Sequence, residues 1–337
     1  MPLMKAIQIV RPGADLALVE METPEPGERE VLIKVEACGV CHGDAAAKYG
    51  ARPGTVYPRV PGHEVVGTVA KQGPGVTAWR PGERVGVGWS GGWCGACDAC
   101  AEGRHHECQD SWITGLSVDG GYAEYMVART SALVSIPDKL SSADAAPLLC
   151  AGATTFSALQ DSGAIGGQTV AIHGIGGLGH LGIQYANRLG FTTVAVSRGR
   201  EKEALAYRLG VHHYIDAKSS DAAAELQKLG GAKVVLCTAP DAAAISGLIG
   251  GLADGGQLII VAAPRDPLVV HPGQLFGGGL SIKGWHGQRA SDAIAFSLRF
   301  EVMPMIEIFP LERAAEAFDK MMAATVHFRA VLTMGAK

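Results

Sequence analysis

The stretch TVAIHGIGGLGHLGIQYANRL, Thr169–Leu189, decides the fold. Its first five residues, Thr169–His173, form an apolar run that reads as a strand. Leu178–Leu189 reads as a helix. Between them, Gly174-Ile175-Gly176-Gly177-Leu178-Gly179 contains G-x-G-x-x-G. Alone, such a motif is weak. After a strand and at the opening of a helix, it points to a dinucleotide-binding turn. Gly174 would permit the tight turn, Gly176 the approach of backbone to a pyrophosphate, and Gly179 close helix–strand packing. Gly177 and Leu178 complete the loop, and the helix N-terminus offers unpaired N–H groups to phosphate.

The next strand selects the dinucleotide. An NAD site usually carries an Asp or Glu about 20 residues after the glycines, bonded to the ribose 2′-hydroxyl. Here the strand ends Val194-Ala195-Val196-Ser197-Arg198-Gly199-Arg200. Ser197 stands where the acid is expected and Arg198 follows it. A carboxylate would repel a 2′-phosphate, whereas a guanidinium can bind one through two hydrogen bonds. Arg200 and Lys202 add positive charge, and Glu201 and Glu203 temper it. The reading favours NADP over NAD.

Outward from this stretch the chain has three parts. Before about Ala151, short β-like runs (Lys5–Val10, Val31–Val35, Val65–Val69, Arg84–Val87) are broken by Pro-Gly pairs at 26–27, 61–62, 74–75 and 81–82. From 151 to about 285, strands alternate with helices. Val234–Thr238 and Gln257–Ala262 are further strands, so βαβ units and a parallel sheet are expected. From 286 to 337, helices around Asp292–Arg299 and Leu311–Met322 precede a strand at Phe328–Leu332. The fold class is α/β. The 337 residues suggest two domains and a sizeable core. A formal charge of −4 without basic runs argues against nucleic-acid or anionic-membrane partners. No apolar run approaches the ~20 residues of a membrane helix. MPLMKAIQIVRPG has no signal-peptide pattern, so a cytoplasmic location is expected.

Half of the eight cysteines lie in GWCGACDACAEGRHHEC, at Cys94, Cys97, Cys100 and Cys108. This C-x2-C-x2-C-x7-C spacing puts four thiols on one loop, enough to surround a tetrahedral zinc ion. A disulfide framework would need an oxidising compartment. A closed four-thiolate site does no chemistry, so a reaction must be sought elsewhere. Cys38-Gly39-Val40-Cys41-His42-Gly43-Asp44, Pro61-Gly62-His63-Glu64 and Leu148-Leu149-Cys150 offer thiols, an imidazole and carboxylates. A Cys2His set with one open position is a catalytic zinc arrangement, but spacing alone does not select it from these residues.

The words ACGVCHGD, PGHEVVG, the four-cysteine lobe, DGGYAEY, LLCAGATTF and GIGGLGH follow one another across nearly the whole chain. In this order the sequence resembles the zinc-dependent medium-chain alcohol dehydrogenases, and is similar to their tetrameric bacterial and yeast branch. The resemblance implies a GroES-like, β-rich catalytic domain (1–150, with a structural zinc lobe at about 90–110) and a Rossmann domain with a doubly wound parallel sheet (151–285). The chain then returns to the catalytic domain at 286–337. It implies two zinc ions. Cys41, His63 and Cys150 would hold the catalytic ion, Glu64 would be an exchangeable ligand, and Asp44 would bond His63. His42 and Arg329 resemble contacts to the cofactor pyrophosphate. Trp89, Trp112 and Trp285 lie beside motifs that shape the substrate cleft. A homotetramer is expected, with the apolar strand Leu280–Trp285 pairing subunits.

The implied reaction is hydride transfer between NAD(P)H and a primary or secondary alcohol or its aldehyde or ketone. The family's proton relay departs here: Gly43 replaces a Ser or Thr, and Ala46 replaces a His. Restoring a hydroxyl by Gly43→Thr is then expected to raise alcohol oxidation, unless Gly43 serves to widen the pocket. Two other readings stay open: a zinc reductase of activated alkenes or iminium substrates, and a non-enzymatic NADP-binding protein.

Overall fold

The computed structural model describes residues 2–287 and 289–335. Two compact units emerge, one made of 1–150 and 304–337, the other of 151–303.

In the first unit, the long strand Glu30–Val40 organises the sheet. Its sequence, EVLIKVEACGV, is mostly apolar with β-branched Val31, Ile33, Val35 and Val40, which suits a strand covered on both faces. It pairs antiparallel with Val65–Gln72, with Tyr125–Arg129 and, near its end, with Arg329–Thr333 from the far C-terminus. The seven-stranded sheet is completed by Ile306–Pro310, Arg84–Val87 and Leu133–Ser135. Ser90–Gly92 and Trp112–Ile113 form a small ribbon flanking the cysteine lobe. Helix Ser142–Pro147 runs into a π-helical turn, Leu148–Gly152, which carries Cys150. Pro147 has no amide proton to give the preceding turn, and such wide turns recur at functional positions.

Among the described residues, the second unit has six strands in the order His213–Asp216, Thr192–Ser197, Thr169–His173, Ala232–Cys237, Leu252–Ile260 and Ser281–Gly284. Every pairing is parallel. The order 3-2-1-4-5-6 is that of a dinucleotide-binding Rossmann sheet, with its switch point beside Thr169–His173. The segment 286–303, expected in the return to the catalytic domain, lies in this unit instead. Helix Ala290–Phe300 explains the difference. Its Phe296 packs on Phe156 and Tyr185, and its Ser297 hydroxyl hydrogen-bonds the Tyr185 hydroxyl at 2.7 Å. Among the described residues, no helix is long and apolar enough to cross a membrane.

Candidate functional site

Three distant segments meet in the first unit. Cys41 directly follows the long strand Glu30–Val40, His63 and Glu64 precede Val65–Gln72, and Cys150 sits on the π turn. One ligand atom from each of Cys41, His63, Glu64 and Cys150 lies within 4.8 Å of the others. The Cys41 and Cys150 sulfurs are 4.0 Å apart. The segment Asp119–Tyr122 clamps the His63 loop. Gly120, Gly121 and Tyr122 donate backbone hydrogen bonds to Val60, Gly62 and Pro61, and Arg59 Nη1 pairs with Asp119 at 2.7 Å.

Asp44 is the hub behind the cluster and is only 4% exposed. Its Oδ1 meets His63 Nδ1 at 2.8 Å, while Oδ2 accepts from the Cys41 amide and the Tyr122 hydroxyl, each at 2.9 Å. His63 Nδ1 is thereby committed. Its Nε2 is buried without a hydrogen-bond partner. Glu64 Oε1 pairs with Arg329 Nη2, while Glu64 Oε2 and Arg329 Nε are also buried and unpartnered. Orphaned buried polar atoms are costly unless a ligand uses them. Two thiols, an imidazole nitrogen and a carboxylate oxygen in one pocket suit a divalent cation, zinc above all.

The electrostatics agree with that donor set. The thiol–thiol hydrogen bond with Cys150 holds the Cys41 thiol well below its ordinary range against burial, with His63 and Arg329 assisting. The same bond, together with burial, pushes Cys150 well up. Burial lifts Glu64 to about 7, against the pull of Arg329. Burial works against a charge on His63, but Asp44 and Cys41 together outweigh it and raise its pKa. A cation would replace the proton these groups share.

The four lobe cysteines form the second cluster, again within 4.8 Å. Cys94 Sγ lies 3.9 Å from Cys100 Sγ and 3.6 Å from Cys108 Sγ. Amides of Ala96 and Cys97 lower the Cys94 thiol to about 6. All eight cysteines are free thiols, and no disulfide competes for them. Cys38 and Cys237 lie outside both clusters and are buried in strands.

In the second unit, the glycine loop has the shape of a phosphate cradle. Gly174 has φ +91°. A Cβ on Gly179 would fall 1.9 Å from the Gly174 carbonyl oxygen, so helix and strand pack as closely as backbones allow. A Cβ on Gly176 would meet nothing within 4 Å, which leaves that face free for a pyrophosphate. Gly177 and Leu178 lead into helix Gly179–Arg188. Lys202 Nζ donates to the Ile175 carbonyl at 2.7 Å and braces the loop. Ser197 ends its strand, and the Arg198 side chain is 82% exposed with Nη1 4.0 Å from Asp241.

Residues 27–138 match the family described as alcohol dehydrogenase GroES-like domain, and residues 177–300 match that described as zinc-binding dehydrogenase. The chain is 46% identical to the alcohol dehydrogenase patD of Penicillium expansum, across 96% of this chain and 95% of that protein. It is 39% identical to an alcohol dehydrogenase of Geobacillus stearothermophilus, across 98% and 99%. The solved structure of CAD from Helicobacter pylori, complexed with NADP(H), superposes with a TM-score of 0.87 at 25% identity, covering 98% of each chain. The chain belongs to the zinc-dependent medium-chain alcohol dehydrogenases.

As a family member, it is an oxidoreductase acting on alcohols and their carbonyl counterparts with a nicotinamide cofactor. Within this alcohol dehydrogenase, Trp89 meets His63 edge to face, with ring centroids 4.9 Å apart at 87°. Trp112 lies under the Arg129 guanidinium at 4.1 Å. It lines a cavity of about 350 Å³ that includes none of the cluster residues. Trp285 belongs to the other unit, where its Nε1 donates to Ser157 Oγ at 2.9 Å. His42 is exposed and Arg329 is buried.

Three features escaped the sequence. Tyr122 was visible only as a letter inside DGGYAEY, with no sign that its hydroxyl supports Asp44. His173 looked like the last residue of an ordinary strand, yet its Nδ1 is buried without a partner. At Gly43, a Cβ would stand 2.6 Å from His63 Cε1 and 2.9 Å from Trp89 Cζ3. The missing side chain therefore also makes room for two rings.

Proposed function

We propose that this alcohol dehydrogenase holds two zinc ions and reduces aldehydes or ketones with NADPH, running the alcohol oxidation less readily. Cys41, His63 and Cys150 hold the catalytic ion, with Glu64 as an exchangeable ligand. Cys94, Cys97, Cys100 and Cys108 hold the structural ion. The observation that carries the reading is His63: one nitrogen bound to Asp44, the other buried, unpartnered and grouped with two thiols.

Zinc there would supply a Lewis acid for an alcohol or carbonyl oxygen, and the dinucleotide would give or take the hydride. The protein's own residues set the conditions. Asp44 fixes the His63 ring so that Nε2 faces the site, and Tyr122 steadies Asp44. Trp89 offers an aromatic wall against His63, which suits an apolar or aromatic substrate. Neither Gly43 nor Ala46 offers a group that can pass a proton, so a route to solvent would have to be supplied by water or by the cofactor when it is bound. Arg329 pairs with Glu64 inside its own unit while its Nε is buried without a partner, and His42 is exposed on the turn after Cys41; the resemblance makes both candidates for the cofactor pyrophosphate.

Support for NADPH comes from Ser197 in place of the expected acid and from the exposed guanidinium of Arg198 beside it. A homotetramer is supported by the strand Ser281–Gly284, which ends its sheet with an unpaired edge, and by Phe276 nearby, 91% exposed. Eight cysteines with no disulfide among them suit a reducing, cytoplasmic setting.

Metal analysis tests the core of this reading: two zinc ions per chain, falling to one with loss of activity in Cys150→Ala. A fully active Cys150→Ala protein overturns it. With NADPH and an α,β-unsaturated aldehyde, the expected product is the allylic alcohol; a saturated aldehyde would replace carbonyl reduction by alkene reduction. Light scattering at micromolar concentration should show a tetramer, and a monomer refutes the assembly.

A further inference from the structure

His173 is the last residue of its strand and directly precedes Gly174 of the phosphate cradle. Parallel register sets it beside Val196 and Cys237, on the face those side chains share. It is 7% exposed, and no hydrogen bond reaches its Nδ1. A buried polar nitrogen with no partner costs free energy that an apolar side chain at this position would avoid. The fold gives Nδ1 no partner, and the residue directly precedes the glycine loop. The charged groups acting on it are Asp241, from the start of helix Ala242–Leu248, and Arg198, from the loop after Thr192–Ser197. These two pair with each other at 4.0 Å. Cys237, on the adjoining strand, is pushed by burial to about 12 and stays neutral.

We propose that His173 is a specificity-determining residue for the cofactor's 2′-phosphate, taking up a proton from solvent when that phosphate docks against Arg198. In the free protein, burial and Arg198 lower the affinity of His173 for a proton, and Asp241 only partly offsets them. A dianionic phosphate draws Arg198 from Asp241 and adds negative charge beside the ring. Both changes favour the imidazolium. The imidazole gains one proton from the buffer, and no other covalent bond changes. Linkage fixes the sign. NADP(H) binds more tightly as pH falls towards the histidine range, whereas NAD(H), which lacks the phosphate, does not respond.

The inference rests on the NADPH reading above, and one calorimetric experiment separates the two. The zinc-loaded enzyme is titrated with NADP⁺ and with NAD⁺ at pH 7, in phosphate-free buffers of different ionisation enthalpy. The expected result is tighter binding of NADP⁺ with net proton uptake, and no uptake for NAD⁺. The phosphate's own titration, near pH 6, acts in the opposite sense and releases protons on binding. His173→Asn and His173→Phe should abolish the uptake and weaken NADP⁺ by about tenfold, leaving NAD⁺ unchanged. Preferential NADP⁺ binding by the wild type without uptake overturns the role of His173 and leaves Arg198 as the reader. Uptake that persists in both variants does the same. Equal affinity for the two cofactors overturns the NADPH reading itself, and the His173 proposal with it.

Discussion

Gly43→Thr brings the proton-relay reading and the observed packing into direct conflict. On relay logic the substitution restores a hydroxyl and should raise alcohol oxidation, since a positioned acid–base group is worth roughly 10²–10⁴-fold. The geometry opposes this. Any Cβ at 43 lies 2.6 Å from His63 Cε1 and 2.9 Å from Trp89 Cζ3. Carbon atoms in contact sit about 3.5–4.0 Å apart, so one ring or both must retreat by about 1 Å. His63 is gripped by Asp44 through Nδ1 and has little freedom to retreat without leaving that bond. A displacement of about 1 Å at a reacting centre costs on the order of 10²-fold. We therefore expect Gly43→Thr to lower kcat/KM for small primary alcohols by about 10²-fold, with Gly43→Ala falling comparably although it differs by no hydroxyl. Trp89→Ala in the Gly43→Thr background should recover part of the loss by opening a path for the ring, which a double-mutant cycle would read as coupling. Zinc content and a cobalt-substituted absorption spectrum report whether His63 has moved. Faster alcohol oxidation by Gly43→Thr, with zinc retained and the cobalt spectrum unchanged, would refute the steric reasoning and reinstate the relay.

The remaining predictions concern the supports of each site. Cys97→Ser should lose one zinc ion and lower the melting temperature, because the folding energy tied to that metal is lost with it. An unchanged melting temperature would separate the lobe from stability. Asp44→Asn should cut zinc affinity or activity by about 10–100-fold, the usual effect of removing a ligand's orienting partner; Tyr122→Phe should give a smaller loss in the same direction, measured by competition with a chelator. Equal zinc affinity in all three proteins would show that His63 needs no such support. Arg198→Ala should raise the Michaelis constant for NADPH and leave that for NADH nearly unchanged, and equal effects on both would remove Arg198 from the 2′-phosphate.

The chemistry-bearing residues were legible where their function imposes a local pattern. The four lobe thiols come from a single short loop, so their clustering could be read from spacing. The glycines of 174–179 stand at fixed offsets between a strand and a helix, so the tight turn they form could be read locally. The parallel sheet followed from alternation of strands and helices, whereas its strand order 3-2-1-4-5-6 came from the structure. Cys41, His63 and Cys150 carry no such local rule, and only the succession of motifs singled them out. Their meeting depends on antiparallel register between Glu30–Val40 and Val65–Gln72, and on a π turn after Pro147. Neither leaves a sequence signature strong enough to read alone.

What stayed hidden was the environment of each of these groups. Arg329 reads as one basic residue in HFRAVL, yet the pairing Ala330↔Val40 delivers it to Glu64, 265 positions away along the chain. Gly43 reads as an absent hydroxyl, and only the positions of His63 and Trp89 reveal an absence of space. A glycine lost from a relay for want of chemistry should accept a hydroxyl again. A glycine kept for want of room should refuse even a methyl. Gly43→Ala, smaller than any relay residue, therefore distinguishes chemistry from space more sharply than Gly43→Thr: it supplies no proton route, so any large change in zinc retention or turnover must come from the Cβ itself.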